Sequence, residues 1–193
     1  MKNLLIAAII LLLFFQTAAA DDKSKIDNLL QTNLEAVFTV LQKKDLDQQA
    51  KNKEIVDIVT PMFDFELMAR LSLGKKHWPG LSQDKKERFT ELFIKRLKAS
   101  YLNNFNLYTD EKIIYEPSVQ AEKKIHIPTY LVSKDKKISI LYKFYKAELN
   151  WKIYDLEIQG VSIIRSYRSQ FSSILESGTV DDLLLKLENP TDS

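Results

Sequence analysis

The spacing of the hydrophobic residues changes twice along this chain, and that change limits the folds it can adopt. Between residues 23 and 108 the apolar side chains recur every three or four positions, as in amphipathic helices. Between residues 112 and 158 they alternate with polar residues, as in strands. After Gly160 the helical spacing returns. This order of helices, strands and helices predicts an α+β domain.

The alternating region predicts a sheet of four strands. Short turns join them, so we expect a twisted antiparallel meander in which each strand pairs with the next. Pro128 lies inside the second strand. Because proline has no N–H to donate, we expect that strand to lie at an edge or to be bulged there. The predicted strands are Lys112–Tyr115, Lys124–Ser133, Ile138–Ala147 and Trp151–Ile158.

Capping residues and helix breakers divide the other apolar stripes into helices. Asp64 and Ser82 stand where an N-cap is needed, and Thr179 with Asp182 three positions later forms a capping pattern. Proline or glycine ends several stripes. The predicted helices are Lys23–Lys44, one from about Lys53 to Pro61, Phe65–Leu73, Ser82–Tyr108, one between Gly160 and Gly178, and Val180–Leu187.

The first twenty residues predict a secretory signal peptide. Lys2 gives a positive start, Leu4–Phe15 is a continuous apolar run, and Ala18–Ala20 supply small residues before Asp21. An uncleaved anchor is the alternative, but this run is shorter than the ~20 residues that a membrane span requires. We therefore expect cleavage after Ala20, export to the periplasm of a Gram-negative bacterium, and one domain over residues 21–193.

The composition argues against several kinds of partner and site. The chain has 28 basic and 26 acidic side chains, so no large charge imbalance indicates a nucleic-acid partner. It has no cysteine, which excludes a lipoprotein and fits a periplasmic protein without disulfides. With two histidines and no carboxylate motif beside them, we expect no metal site.

Asp155 is the residue for which a catalytic role has to be weighed. Strict alternation places it on the same strand face as Trp151 and Ile153, where a carboxylate is costly unless it is paired. It is either a buried general base, as in isomerases built on cone-shaped α+β folds, or the structural partner of an arginine, and we favour the structural role. The arginines considered are Arg70, Arg165 and Arg168. Since the sequence also lacks a nucleophile elbow, a P-loop and a dinucleotide fingerprint, we do not expect an enzyme.

The predicted strands and helices both carry many apolar side chains, which predicts either a cavity lined by these side chains or a filled core. Any gap between the two layers would be lined by aliphatic and aromatic side chains, which suits acyl chains better than a polar metabolite. A fully packed core has the same sequence pattern. Two other readings therefore stay open: an enzyme that uses Asp155, and a periplasmic chaperone or adaptor with a filled core.

Two motifs resemble those of a known family. The first is Y-D-x-x-x-x-G-V-S-x-x-x-x-Y-R-x-x-F, present as Tyr154-Asp155, Gly160-Val161-Ser162, Tyr167-Arg168 and Phe171, and the second is M-A-R-L-x-L-G at Met68–Gly74. Together with the long helix around Arg88–Tyr101, they make residues 21–193 resemble the MlaC family of periplasmic phospholipid carriers, which are also described as toluene-tolerance auxiliary components of ABC transporters.

The resemblance implies a function as well as a fold. It implies a four-stranded sheet packed on helices, with phospholipid tails held in a deep apolar pocket and the headgroup outside. It implies transfer of lipid between an outer-membrane lipoprotein–porin complex and an inner-membrane complex of an MCE-domain protein with an ABC transporter, which maintains outer-membrane lipid asymmetry. We expect a monomer whose only bound group is the phospholipid cargo.

Facing positions on the predicted elements give candidate pocket residues. We also predict that Gly160 is a hinge between the sheet and the helix Ser82–Tyr108, because the carrier has to open to exchange its cargo. The candidates for contact with the lipid tails are Leu71, Leu73, Phe93, Leu97, Tyr101, Ile127, Ile140, Tyr142 and Trp151.

Overall fold

Helices precede and follow a single antiparallel sheet in this computed structural model, which describes residues 2–102, 112–133, 136–148 and 150–189, with side chains from residue 22 onward. This arrangement confirms the predicted α+β class. The helices are α1 (Lys2–Gln42), α2 (Gln48–Val59), α3 (Phe65–Leu73), α4 (Gln83–Leu102), α5 (Ile163–Ser177) and α6 (Val180–Glu188), with 3-10 turns at Thr60–Met62 and Trp78–Gly80. The strands are β1 (Lys112–Tyr115), β2 (Val119–Ala121), β3 (Lys124–Val132), β4 (Lys137–Ala147), β5 (Asn150–Ile158) and β6 (Val161–Ser162).

The described sheet has six strands rather than the predicted four. Its order is β1-β3-β4-β5-β6, and β2 pairs with β3 beside β1. The two additional strands, β2 and β6, are three and two residues long, too short to give an alternating pattern of their own. The four predicted strands correspond to β1, β3, β4 and β5.

Pro128 lies in an interior strand whose neighbour is interrupted beside it. β1 pairs with β3 from Val132 to Thr129, and β2 pairs with β3 from His126 to Lys124. The Pro128 carbonyl accepts the N–H of Glu116 (3.0 Å), at the break between these two short strands. Because the nitrogen and carbonyl of a strand residue face the same neighbour, the missing N–H of Pro128 also points into this break. The prediction of an edge strand or of a bulge at Pro128 was therefore wrong, since β3 is an interior strand and its pairing with β4 continues through Pro128.

The segment after β5 is a tight hairpin rather than a single glycine junction. Gln159 and Gly160 both have positive φ, +51° and +78°, and the flanking Ile158 and Val161 are paired. These are the features of a two-residue turn with left-handed residues at both positions, which glycine favours. The turn places Ser162, whose hydroxyl accepts the N–H of Arg165 (3.1 Å), at the start of α5.

Side-chain caps define the starts of the helices. Asp64 accepts the N–H of Leu67 at α3 (2.8 Å), and Thr179 and Asp182 form the predicted capping box of α6. α2 begins earlier than predicted because Asp47 accepts the N–H of Ala50 (2.8 Å) and starts the helix within a polar segment. Residues 103–108 of the predicted fourth helix lie outside the described residues, as do the side chains of residues 1–20.

The described residues form three buried clusters, the smallest of which joins α1 to α2 around Ile55. The helical cluster joins α3, α4, α5 and α6 around Phe89, Phe93 and Phe171. The sheet-side cluster joins α1 to the inner face of β3, β4 and β5 around Phe144 and Ile153. Among the described residues, no helix is both long enough and apolar enough to cross a membrane.

Candidate functional site

An apolar cavity of about 410 Å³ lies between the sheet and the helices. Its volume is within the range of ~300–1,000 Å³ that is usual for ligand pockets. All of the first four helices contribute to its lining, as do β1, β3, β4, β5 and the first residue of α5. The lining side chains are Leu30, Asn33, Leu34, Val37, Phe38, Leu41, Val56, Val59, Thr60, Met62, Phe63, Phe65, Met68, Leu97, Lys98, Tyr101, Ile113, Thr129, Leu131, Ile138, Ile140, Tyr142, Ile153, Leu156, Ile158 and Ile163.

The register of the sheet determines which of its ends is open to the cavity. At one end Phe144 pairs with both Ile125 and Ile153, and all three side chains are fully buried. Four residues further along β4, Ile140 pairs with Thr129 and Ile158, and this row lines the cavity. The inner face of the sheet is therefore packed against α1 at one end and lines the cavity at the other.

The structure brings four of the nine candidate pocket residues to the cavity. They are Leu97 and Tyr101 on α4 and Ile140 and Tyr142 on β4. Their contact with a lipid remains a prediction.

The other five candidates lie outside the lining, although they pack in the same two clusters as Leu97 and Tyr142, which do line it. Leu73 and Phe93 are buried in the helical cluster, and the half-buried Leu71 packs against it. Ile127 and Trp151 are buried in the sheet-side cluster. Each of these residues was placed on an inward face correctly, but that face meets protein rather than open space.

The sequence reasoning missed the contributions of α1 and α2 to the lining. Leu34, Val37 and Phe38 come from α1, and Val56 and Val59 from α2. Their helical spacing was visible in the sequence, so both stripes were predicted to be buried. Nothing in that spacing indicates that these stripes, rather than that of α6, face the cavity.

Few polar side chains of the described residues reach the cavity, and two of them donate hydrogen bonds to backbone carbonyls. Asn33 donates its amide N–H to the carbonyl of Leu29 (2.8 Å), and Thr129 donates its hydroxyl to the carbonyl of Ile140 (3.2 Å). The Thr60 hydroxyl oxygen is buried and has no hydrogen-bond partner within the described part of the chain. Burial, with a smaller contribution from neighbouring tyrosines, raises the pKa of Tyr101 and of Tyr142, so both phenols stay protonated.

The chemistry of this lining suits binding rather than catalysis. None of the described lining residues is a carboxylate or a histidine, the side chains that most often act as general acid or base. Elsewhere in the described segments, no group of three or more His, Asp or Glu side chains is arranged to hold a metal ion. An aliphatic and aromatic wall can exclude water and accept an apolar chain.

A β-bulge places Asp155 on the sheet face opposite the cavity. On β4, Phe144 pairs with Ile153, and the residue before it, Lys143, pairs with Asp155. Tyr154, between Ile153 and Asp155, therefore has no partner on β4 and is the extra residue of the bulge. Lys143 follows Tyr142, which lines the cavity, and so it points to the other face. The expectation that Asp155 shares a face with Trp151 and Ile153 was therefore wrong.

Asp155 is a structural residue, paired with a lysine rather than an arginine. It is buried, and its carboxylate accepts hydrogen bonds from the Lys143 ammonium (3.2 Å), the Ser162 hydroxyl (2.8 Å) and the Ile164 N–H (3.2 Å). Lys143 also pairs with Glu157, which binds Arg165 as well. The carboxylate thus holds the first turn of α5 against β5.

The charges of this cluster shift two pKa values in opposite directions. The hydrogen bond from Lys143 lowers the pKa of Glu157, against the opposing effect of burial. Burial works against the charge of Lys143, but its hydrogen bonds to Glu157 and Asp155 outweigh this and raise its pKa. Both groups therefore stay charged at neutral pH.

The two sequence motifs contact each other in the fold. Arg168 of the first motif donates from Nε (2.8 Å) and Nη2 (2.5 Å) to the carbonyl of Leu71, in the last turn of α3. Leu71 belongs to the second motif. Tyr167 and Phe171 bury their rings in the helical cluster. The motif residues thus build the frame that positions α3 and α5, and none of the polar ones lines the cavity.

Comparison with known proteins agrees with this frame. The family model described as MlaC protein matches residues 31–189. A solved structure, the phospholipid-binding protein from Ralstonia solanacearum in complex with a phospholipid, superposes with a TM-score of 0.75 at 21% identity. The match covers 83% of this chain and 93% of that one, and at this identity it shows the common fold. Among curated proteins, none matches this chain.

Proposed function

Because the chain belongs to the MlaC family, we propose that it is a carrier that binds phospholipid acyl chains in the cavity between sheet and helices. The observation that carries this proposal is the cavity itself, which is walled by apolar side chains from both layers. The phospholipid in the Ralstonia solanacearum structure of the same fold supports it. Family membership points to a binding or transport protein rather than an enzyme.

The physical chemistry of acyl chains explains why a closed carrier is needed. A tail of about 16 carbons gains roughly 0.8 kcal/mol per CH₂ on leaving water, or about 13 kcal/mol in all. Release of such a tail into water is therefore negligible. The carrier has to exchange its cargo while it is docked to a membrane or to a membrane complex.

We place this exchange in the periplasm of a Gram-negative bacterium. Residues 1–20 act as a signal peptide that is cleaved before Asp21, which leaves one domain over residues 21–193. An outer-membrane lipoprotein–porin complex and an inner-membrane complex of an MCE-domain protein with an ABC transporter are the proposed docking partners. Transfer between them maintains lipid asymmetry. N-terminal sequencing of protein from the periplasmic fraction tests the first step, and an N-terminus other than Asp21 contradicts it.

The lipid cargo is tested by mass spectrometry of the purified protein. Protein purified from the periplasm and then denatured should release phospholipid in stoichiometric amounts. Ile140→Trp should reduce the lipid at least tenfold, because the indole occupies space in the cavity that a tail needs. Leu141→Trp is the matched control, since its side chain points to the opposite face of the same strand.

Either of two results contradicts the carrier proposal. The first is wild-type protein that contains no lipid after gentle purification and takes none up from liposomes. The second is equal lipid content in folded Ile140→Trp and wild-type protein, which would place the lipid outside this cavity.

A further inference from the structure

Lys98 is the one charged residue among the described side chains that line the cavity. It lies on α4 between Leu97 and Tyr101, which also line the cavity. None of the other lining residues in the described part of the chain carries a charge that could balance it. The half-buried Lys98 makes no hydrogen bond or ion pair with any residue that the structure describes, so its ammonium is available to a ligand.

The position of Lys98 indicates how its two ends are used. A partly exposed lysine keeps its aliphatic stem on apolar surface and its ammonium in water. The stem of Lys98 therefore belongs to the cavity wall, and the ammonium lies at the boundary between the cavity and solvent. This boundary is where the apolar and charged parts of an amphiphile separate.

Tyr101 provides a second donor on the same side of α4. It follows Lys98 by three positions, so the two side chains are neighbours on the helix surface. Its phenol is protonated because burial raises its pKa, and it has no hydrogen-bond partner in the described segments. An ammonium and a phenol O–H next to each other match the acceptor oxygens of a phosphate group.

We propose that Lys98, assisted by Tyr101, binds the phosphodiester of the lipid whose tails occupy the cavity. This inference rests on the proposed carrier function and adds a specificity to it. The cavity selects for acyl chains, and Lys98 selects for lipids that carry a phosphate at the glycerol. A neutral diacylglycerol with the same tails fills the same space without this contact.

Lipid loading from detergent micelles tests the selection. Delipidated protein is offered phosphatidylglycerol or diacylglycerol with identical acyl chains in the same nonionic detergent, and the bound lipid is quantified after repurification. Lys98→Gln should weaken retention of phosphatidylglycerol about tenfold, or about 1.4 kcal/mol, and leave diacylglycerol unchanged. Lys98→Arg should restore the retention because it keeps the charge. Lys95→Gln is the matched control, since Lys95 is an exposed residue of α4 outside the lining.

The outcomes separate this inference from the carrier proposal. If wild-type protein takes up both lipids and Lys98→Gln behaves like Lys95→Gln, the carrier stands and the role of Lys98 is overturned. Equal losses of both lipids in Lys98→Gln also overturn it, because they indicate a damaged cavity rather than lost phosphate recognition. If folded wild-type protein takes up neither lipid, the carrier proposal itself fails.

A further arm distinguishes a lipid phosphate from a free phosphate ion. Loading with phosphatidylglycerol is repeated in excess inorganic phosphate. Unchanged retention supports a site that needs the attached tails. If inorganic phosphate lowers retention in wild-type protein but not in Lys98→Gln, the ion competes with the lipid phosphate at Lys98, which also supports the inference. An equal loss of retention in both proteins overturns it, because the phosphate then acts independently of Lys98.

Discussion

Replacing Asp155 with asparagine separates the structural role of this carboxylate from a catalytic one. Asn keeps the shape and retains an acceptor for the Ile164 N–H, but it removes the charge that faces Lys143 and Ser162. The side chains of Lys143 and Asp155 are only 14% and 7% exposed, so solvent screens their interaction weakly.

The magnitude follows from the partners that remain. Removing one partner of a buried ion pair costs about 3–5 kcal/mol, because the other charge is left uncompensated. Lys143 keeps its second carboxylate, Glu157, which reduces that penalty. We therefore expect Asp155→Asn to lower the free energy of unfolding by about 2–3 kcal/mol. For a chain of this size, that corresponds to a fall in Tm of about 4–12 °C.

Urea unfolding followed by far-UV circular dichroism measures this loss. The control is Asp57→Asn, because Asp57 forms an exposed ion pair with Lys53 (3.0 Å, side chains 63% and 78% exposed) whose removal should cost ~0.5 kcal/mol or less. Lipid content measured well below the Tm should stay at the wild-type level in both variants. An unfolding free energy of Asp155→Asn within ~0.5 kcal/mol of wild type would refute the structural reasoning. Loss of function in a fully stable variant would instead revive the catalytic reading.

Three other features give predictions that can be checked in the same way. The pKa of Glu157 is lowered in the folded state, so this residue stabilises the fold at pH values above its ordinary pKa of 4.5. That stabilisation is lost as the pH falls through the lower folded-state pKa. Glu157→Gln should therefore flatten the acid dependence of the unfolding free energy, and an unchanged slope contradicts this. Thr60→Val should raise that free energy by about 1 kcal/mol because it removes a buried hydroxyl without a partner, whereas a loss of stability would indicate a partner that the hydroxyl needs. Asn can adopt the φ of +78° found at Gly160, so Gly160→Asn should change the unfolding free energy little. If Gly160 is a hinge, this variant should slow lipid transfer between donor and acceptor vesicles. Normal transfer by the variant argues against the hinge.

The starts of α3 and α6 could be predicted because their determinants are local. Asp64 and Thr179 each accept an N–H three residues along the chain, so the sequence carries both members of the interaction. Both helix starts are therefore visible without any knowledge of the fold. At Gly160 the sequence shows only where the strand spacing ends, because the hairpin depends on the pairing of Ile158 with Val161.

The face of Asp155 could not be predicted, because a bulge depends on the partner strand. Alternation along β5 alone gives Asp155 the face of Ile153, and only the pairing of Lys143 with Asp155 shows that Tyr154 is an extra residue. The same limit applies to the cavity. Phe93 and Leu97 are one helical turn apart on one apolar stripe, yet Phe93 is packed against aromatic rings and Leu97 faces open space.

The motifs that reveal the family and the residues that line the cavity are largely different sets, and physical chemistry explains why. Hydrogen bonds such as those of Asp155 to Ser162 and of Arg168 to Leu71 require particular atoms at particular distances, so they leave a recognisable sequence pattern. Contact with an acyl chain is non-directional and scales with apolar area, so leucine, isoleucine, valine or phenylalanine can serve almost equally well. The motifs therefore identify the residues that position α3 and α5 relative to the sheet. Cargo selection has to reside in the few cavity positions where a directional group is present, and Lys98 is the charged one among those described.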